Sequence, residues 1–161
     1  GNSSTTIIIW GKNTPFFTRN IEIGGDYFTN EIMRIFNIDY KAAEEMKFEK
    51  GTTVFDKDDN ETMNDNIGIS IEKRTPFNDL TEDIHRTIRY YTKNNNQSFF
   101  NTFYLTGGSS ILPGLSEFIE SKLNVKVSIF DPLQKINNNN KVENINQYST
   151  ALGLALRGLD N

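Results

Sequence analysis

Cysteine is absent from this chain, which excludes disulfides and thiolate metal sites and fits a reducing compartment. A single histidine, His85, leaves no material for a His-based metal site or a Ser–His triad. No apolar run approaches the roughly 18 to 20 residues of a membrane span. Nor does a basic stretch followed by an apolar core mark a signal peptide in these residues. Positive charge is also in short supply: 17 Lys and Arg stand against 21 Asp and Glu, a net charge of −4. That balance, with an isoelectric point near 5.1, excludes a general nucleic-acid binder.

The 161 residues suit one domain, or one lobe of something larger, with enough chain for a core. Only one Trp is present against 12 Phe and 6 Tyr, so Phe, Tyr and Ile carry the packing. Asparagine is abundant, above all in "NNNQ" and "KINNNNKVENIN", tracts that read as loops shaped by compositional bias.

Periodicity and punctuation order the rest. "TTIIIW" is a β-branched strand, "PFFTRNIEI" a second, and "GKNT" between them makes a hairpin the economical reading. "GGDYFTNEIMRIFN" opens a helix whose Phe28, Ile32, Ile35 and Phe36 share one apolar face. Asp39 is placed to cap a further helix through "YKAAEEMKFEK", with two alanines where helices sit close. Residues 51–73 read as a mobile insert or small hairpin. Pro76 suits the first turn of a long helix with a Phe77, Leu80, Ile84, Ile88 and Tyr91 stripe. The strand "FFNTFYL" follows, then paired glycines, a helix around "GLSEFIESKL", the strand "VKVSIF" and a closing helix "QYSTALGLALRGL". Ala151, Gly153 and Ala155 line one narrow side of that helix, as close helix packing requires. Strands alternating with helices after an opening hairpin make the class α/β.

The chemistry-bearing candidates are few. In "FYLTGGSSILPGL" an apolar strand runs into Gly107 and Gly108, followed by Ser109. Glycine there lets backbone approach backbone, or a ligand; a plain tight turn is the alternative. Glu44 and Lys47, three apart, share a helix face, which without further context is an ordinary solvated surface. Gly24-Gly25 before a helix reads as a helix start, with an anion-friendly N-terminus as the alternative. His85 on the long helix has a surface or half-buried structural role.

These segments, in this order, resemble the second half of the actin-like ATPase fold, and within it the PilM family of type IV pilus assembly proteins. Three stretches carry the resemblance: "GNSSTTIIIW" looks like the end of the second phosphate motif, "FYLTGGSSILPGL" like the adenosine motif, and "ALGLALRG" like the closing helix. "AAEEMK" and "EDIHRTIRYY" add weaker support. The resemblance implies an α/β second lobe, subdomains 2A and 2B, with a mixed sheet flanked by helices and its first central strand absent from the chain. Residues 1–37 and 97–161 would form the 2A-like part with the closing helix, and 38–96 the 2B-like insertion.

The implied ligand is ATP, with Mg²⁺ in the intact protein. Adenine and ribose would lie over Gly107 and Gly108 with Ser109 nearby, and Glu44 and Lys47 would contact the ribose side. Gly1, Ser3, Ser4 and Thr5 would offer a nest of N–H groups to the β- and γ-phosphates; the alternative is a non-native remnant. No hydrolytic carboxylate can be assigned, so the chain alone is expected to bind rather than hydrolyse ATP. The partner implied is a PilN-like membrane-protein tail, through a lobe not contained in these residues. The membrane would be reached only indirectly, from a cytoplasmic position peripheral to the inner membrane. The missing strand implies closure of the gap by direct pairing of the flanking strands, by a second copy (self-association through exposed strand edges), or by preceding chain. Alternatives are an FtsA-like division or cytoskeletal protein, a sugar kinase or chaperone on the same fold, and an α/β interaction domain without nucleotide.

Overall fold

In the computed structural model, residues 1–12, 14–56, 74–95, 99–134 and 142–159 are described. The β-branched run forms β1 (Thr5–Ile9), which pairs antiparallel with β2 (Phe17–Ile21) from Thr5 opposite Ile21 to Ile9 opposite Phe17. Period-two alternation turns Ile7 toward the core and leaves Ile8 outside.

The chain then enters α1 (Gly25–Phe36), which ends at Asn37 in the left-handed conformation (φ 51°). Asp39 caps α2 (Tyr40–Lys50) as expected, its carboxylate accepting from the Ala42 N–H at 2.8 Å. Ala43 is fully buried where α1 and α2 meet. A 3₁₀ turn over Gly51–Phe55 sinks Val54 and Phe55 into the core. The long helix α3 (Pro76–Asn95) contributes Phe77, Leu80, Ile84 and Tyr91 from its stripe, with Ile88 partly buried.

Beyond it, β3 (Phe103–Leu105) pairs in parallel with β4 (Val127–Ile129). Between them lie a 3₁₀ turn (Gly108–Ile111) and α4 (Leu115–Leu123). A further 3₁₀ turn (Ile145–Tyr148) leads into α5 (Ser149–Leu159).

One hydrophobic core unites these elements across both expected subdomain segments. Phe77 is its hub, stacked on Phe28 at 4.6 Å between ring centroids and edge-on to Phe55 at 5.7 Å. Aromatic pairs in these geometries add to the area they bury.

Several expectations shift. Ile35 and Phe36 lie on the exposed part of α1, because the face turned inward is the one holding Phe28, Thr29 and Ile32. The strand "FFNTFYL" shortens to Phe103–Leu105, the length its partner β4 can match, and Tyr104 is 66% exposed. The close packing expected of the small residues of α5 is not seen: among the described residues none of that helix is buried, and a Cβ at Gly153 would meet nothing within 4 Å. The start of the 51–73 insert is packed rather than mobile; residues 57–73 and the Asn tract at 137–140 fall outside the described residues. His85 is exposed on α3, as a surface role requires.

The sheet is in two pieces, one antiparallel and one parallel. β1 and β3 do not pair, so direct closure of the gap is not formed, and each keeps an edge with no partner strand among the described residues. That is the arrangement expected when a central strand between them is absent.

Candidate functional site

The turn after β3 is built around Gly107, with φ 98° and ψ 171°, a conformation essentially confined to glycine. Its N–H donates to the Asn146 carbonyl at 3.0 Å, and its carbonyl accepts from the Ser110 N–H at 3.1 Å and the Ser110 hydroxyl at 2.7 Å. The Asn146 carbonyl also accepts from the Ser149 hydroxyl, which ties the turn to the start of α5. The turn is therefore anchored from behind. In front it is open: where a Cβ would project from Gly107, nothing lies within 4 Å.

Facing this region is α2. Lys47 is only 3% exposed, and its ammonium donates to the Gly25 carbonyl (3.3 Å), the Thr29 hydroxyl (2.8 Å) and Glu44 Oε1. A lysine has three N–H donors, and three oxygens receive them. The solvated helix face is thereby excluded for Lys47. Glu44 differs: its side chain is 29% exposed, Oε1 is shared between Lys47 and the Thr29 hydroxyl, and Oε2 has no hydrogen-bond partner among the described residues. Lys47 holds Glu44 in place, and Glu44 keeps an oxygen able to accept from a hydroxyl donor.

The N-terminal segment arrives at the same place. The Gly25 N–H donates to the Gly1 carbonyl at 3.0 Å, and the Asp26 N–H to the Asn2 carbonyl at 2.9 Å. This contact requires glycine at 24, where a Cβ would stand 2.4 Å from the Asn2 carbonyl oxygen. The first N–H groups of α1 are therefore taken, which removes Gly24-Gly25 as an anion site. The Thr5 hydroxyl donates to the Ile23 carbonyl at 2.7 Å, so it too is engaged. The hydroxyls of exposed Ser3 and half-buried Ser4 have no partner among the described residues.

Gly25 is the junction. A Cβ there would lie 3.2 Å from Ser109 Oγ and 3.7 Å from both Asn2 Oδ1 and Lys47 Nζ. The structure thus gathers the N-terminal segment, Ser109, Lys47 and, through Lys47, Glu44, with Gly107 and Gly108 continuing from Ser109. Sequence reasoning missed Thr29, Asn2 and the junction role of Gly25. Gly25 and Thr29, four apart on α1, were the available signal, since Thr29 bonds back to the Gly25 carbonyl.

A cleft of about 360 Å³ opens beside the turn, lined by Phe48, Gly108, Ile111, Asn144 and Gln147. A second, of about 330 Å³, is lined by Ser116, Glu117, Glu120, Ser121 and Val127. Hydrogen bonds from its own backbone and from Ser116 hold Glu117 below the usual carboxylate range. Its anionic wall opposes a phosphate ligand, so the first cleft is the candidate. Among the described residues no group of three or more His, Cys, Asp or Glu could hold a metal ion. Among them, too, no helix is long and apolar enough to cross a membrane.

Solved structures share this layout. A PilM-PilN type IV pilus biogenesis complex matches with a TM-score of 0.74 and 26% identity, covering 99% of this chain and 44% of that one. Ethanolamine utilization protein EutJ from Carboxydothermus hydrogenoformans matches with a TM-score of 0.59 and 19% identity over 96% of this chain and 45% of that one, a likeness of fold alone. The class is that of the actin-like ATPase fold. In sequence, the cell division protein FtsA of Borreliella burgdorferi is 25% identical over 97% of this chain and 40% of the relative. The family described as type IV pilus assembly protein PilM matches residues 1–159, and the chain belongs to it. It spans less than half the length of the relatives it matches.

Proposed function

We propose that this chain is the nucleotide-binding half of a PilM-like scaffold for type IV pilus assembly, with ATP as the ligand. One observation carries the reading: the unobstructed Gly107 turn and the Glu44–Lys47 pair converge, through Ser109 and Gly25, on one place. Adenine and ribose lie over Gly107 and Gly108, Glu44 accepts from the ribose hydroxyls, Lys47 positions Glu44, and Ser109 offers a further hydrogen bond. Gly1, Ser3 and Ser4 face the phosphates; Thr5 supports that segment through its bond to Ile23. No side chain of this chain is assigned to Mg²⁺.

Segments 1–37 and 97–161 serve as the 2A-like part and 38–96 as the 2B-like insertion. A PilN-like tail is the partner, through the other lobe, which places the assembly at the cytoplasmic side of the inner membrane. The family match and the PilM-PilN likeness support this reading. The FtsA match supports a filament-forming alternative, marked by ATP-dependent polymerisation.

Amide hydrogen exchange tests the binding reading. ATP is expected to slow exchange at residues 107–109 and along 44–48. Identical exchange with and without millimolar ATP overturns it and leaves an α/β interaction module.

A further inference from the structure

The β1–β2 hairpin ends in aromatic rings that the core leaves out. Beyond Ile9 opposite Phe17, Trp10 and Phe16 are the next residues on either strand, and they stand 81% and 65% exposed. α3 holds this end of the hairpin: the Tyr91 hydroxyl donates to the Pro15 carbonyl at 3.0 Å, and the Phe17 ring lies 6.1 Å from that of exposed Tyr90. Phe99, also exposed, precedes Phe100, whose ring lies 6.1 Å from Tyr91. Cations accompany the rings. Lys12 and Arg19 lie on the hairpin, Arg89 and Lys93 on one face of α3. All four are exposed, and none has an ion-pair partner among the described residues. All 21 Asp and Glu of the chain lie outside residues 10–21 and 84–108. An acidic molecule thus carries two adjoining segments with no carboxylate.

We propose that this aromatic and basic end rests on an anionic membrane surface. Trp10 and Phe16 enter the headgroup region, while Lys12, Arg19, Arg89 and Lys93 meet the lipid phosphates. Trp favours that boundary because its ring is apolar and its N–H is not. Each Lys or Arg near an anionic leaflet adds an attraction that salt screens. Neither cleft described above reaches these projecting rings, and a deformable lipid surface accepts them without a preformed groove. At about 3.3 Å per residue, Trp10 stands roughly 17 Å along β1 from Thr5. The contact therefore leaves the Gly107 turn and the Glu44–Lys47 pair open, and it does not depend on the nucleotide reading. It adds a direct contact to the indirect one expected through a partner. A small patch of this kind binds reversibly by itself, and a membrane-held partner raises its occupancy through effective concentration.

Trp10 is the single tryptophan of the chain, so its own emission reports the contact. Vesicles of equal parts phosphatidylglycerol and phosphatidylcholine should shift that emission to shorter wavelength and carry the full chain upward in a flotation gradient. Phosphatidylcholine alone should do neither, and high salt should reverse both effects. Combining Arg89→Glu with Lys93→Glu should weaken partitioning by about tenfold or more. Phe16→Ser should weaken it too, with the salt dependence kept. Thermal unfolding of both variants should match the parent, because the substituted side chains are exposed and outside the core. Emission and flotation unchanged by phosphatidylglycerol overturn the proposal, and retention on a polyglutamate resin in that case assigns this end to an acidic protein. Full partitioning by the doubly substituted variant also overturns it, as does equal binding to phosphatidylcholine alone.

Discussion

A methyl group added at Gly107 and one added at Gly108 test different things, although the residues are neighbours. At Gly107 there is room but the backbone is wrong for a side chain, so Gly107→Ala should destabilise the fold by about 1–3 kcal/mol. At Gly108 the nearest atom to the new carbon is Gln147 Cβ at 3.9 Å, ordinary contact. Gly108→Ala should unfold within about 0.5 kcal/mol of the parent yet lose ATP affinity; loss of neither sinks the floor assigned to Gly108. The Glu44–Lys47 pair is asymmetric in the same instructive way. Removing Glu44 strands an ammonium at 3% exposure, so Glu44→Leu should cost roughly 2–4 kcal/mol by urea unfolding. Lys47→Met should cost less, since the carboxylate it leaves behind reaches solvent. The reverse ranking would show that Lys47 is not the buried member of the pair. Tyr27 supplies a pH-dependent probe: its hydroxyl donates to Asp79 Oδ2 at 2.9 Å, and that bond, then burial, raises the phenol above its ordinary value of 10.0. A raised folded-state pKa contributes stability that is whole below pH 10 and is lost as pH climbs through the raised value. Tyr27→Phe should flatten that alkaline decline, measured as urea midpoints from pH 9 upward.

Elements were readable where local chemistry and packing agree. The Asp39 cap, the α3 stripe and the β1–β2 hairpin all follow from residue spacing, because each is stabilised mainly by residues near in sequence. Readings failed where a distant neighbour decides. Ile35 and Phe36 fit the apolar periodicity of α1, but at 37% and 41% exposure they lie off the face that the core covers. The run "FFNTFYL" offers β3 seven positions, five of them apolar or aromatic, yet the strand's length is set by the three residues of β4. The same distinction runs through the site: the Gly107 turn was visible as a glycine pair, whereas Lys47 as a buried tie depends on Thr29 and Gly25, some 20 residues earlier. The aromatic hub makes the point measurable. Phe77 joins α1, the 3₁₀ turn after α2, and α4 through ring contacts. Phe77→Ala should therefore cost about 3–5 kcal/mol and lower cooperativity in all three elements. Loss confined to α3 in hydrogen exchange would mean that the core is not shared.

At the scale of the whole molecule, the split sheet is the feature with most consequence. Two strands with open edges stand in one small molecule, and the outer face of β1 carries Ile8 at 61% exposure with Trp10 beside it at 81%. Open N–H and C=O rows next to apolar side chains are templates for another strand, and chains ordinarily guard them with charge. Here β1 has no charged residue from Thr5 to Ile9. We propose that the gap between β1 and β3 is filled by a strand from outside these residues, and that without one the chain pairs with itself. Sedimentation of the 161-residue chain at micromolar concentration should then show species larger than a monomer. Ile8→Lys, which places a charge on that outer face without touching the core, should return it to monomer. Fusion to a longer chain supplying the strand should do the same and slow amide exchange in both β1 and β3. A wild-type monomer whose β1 and β3 edge amides exchange at solvent rates would remove the argument, since the edges would then be tolerated bare.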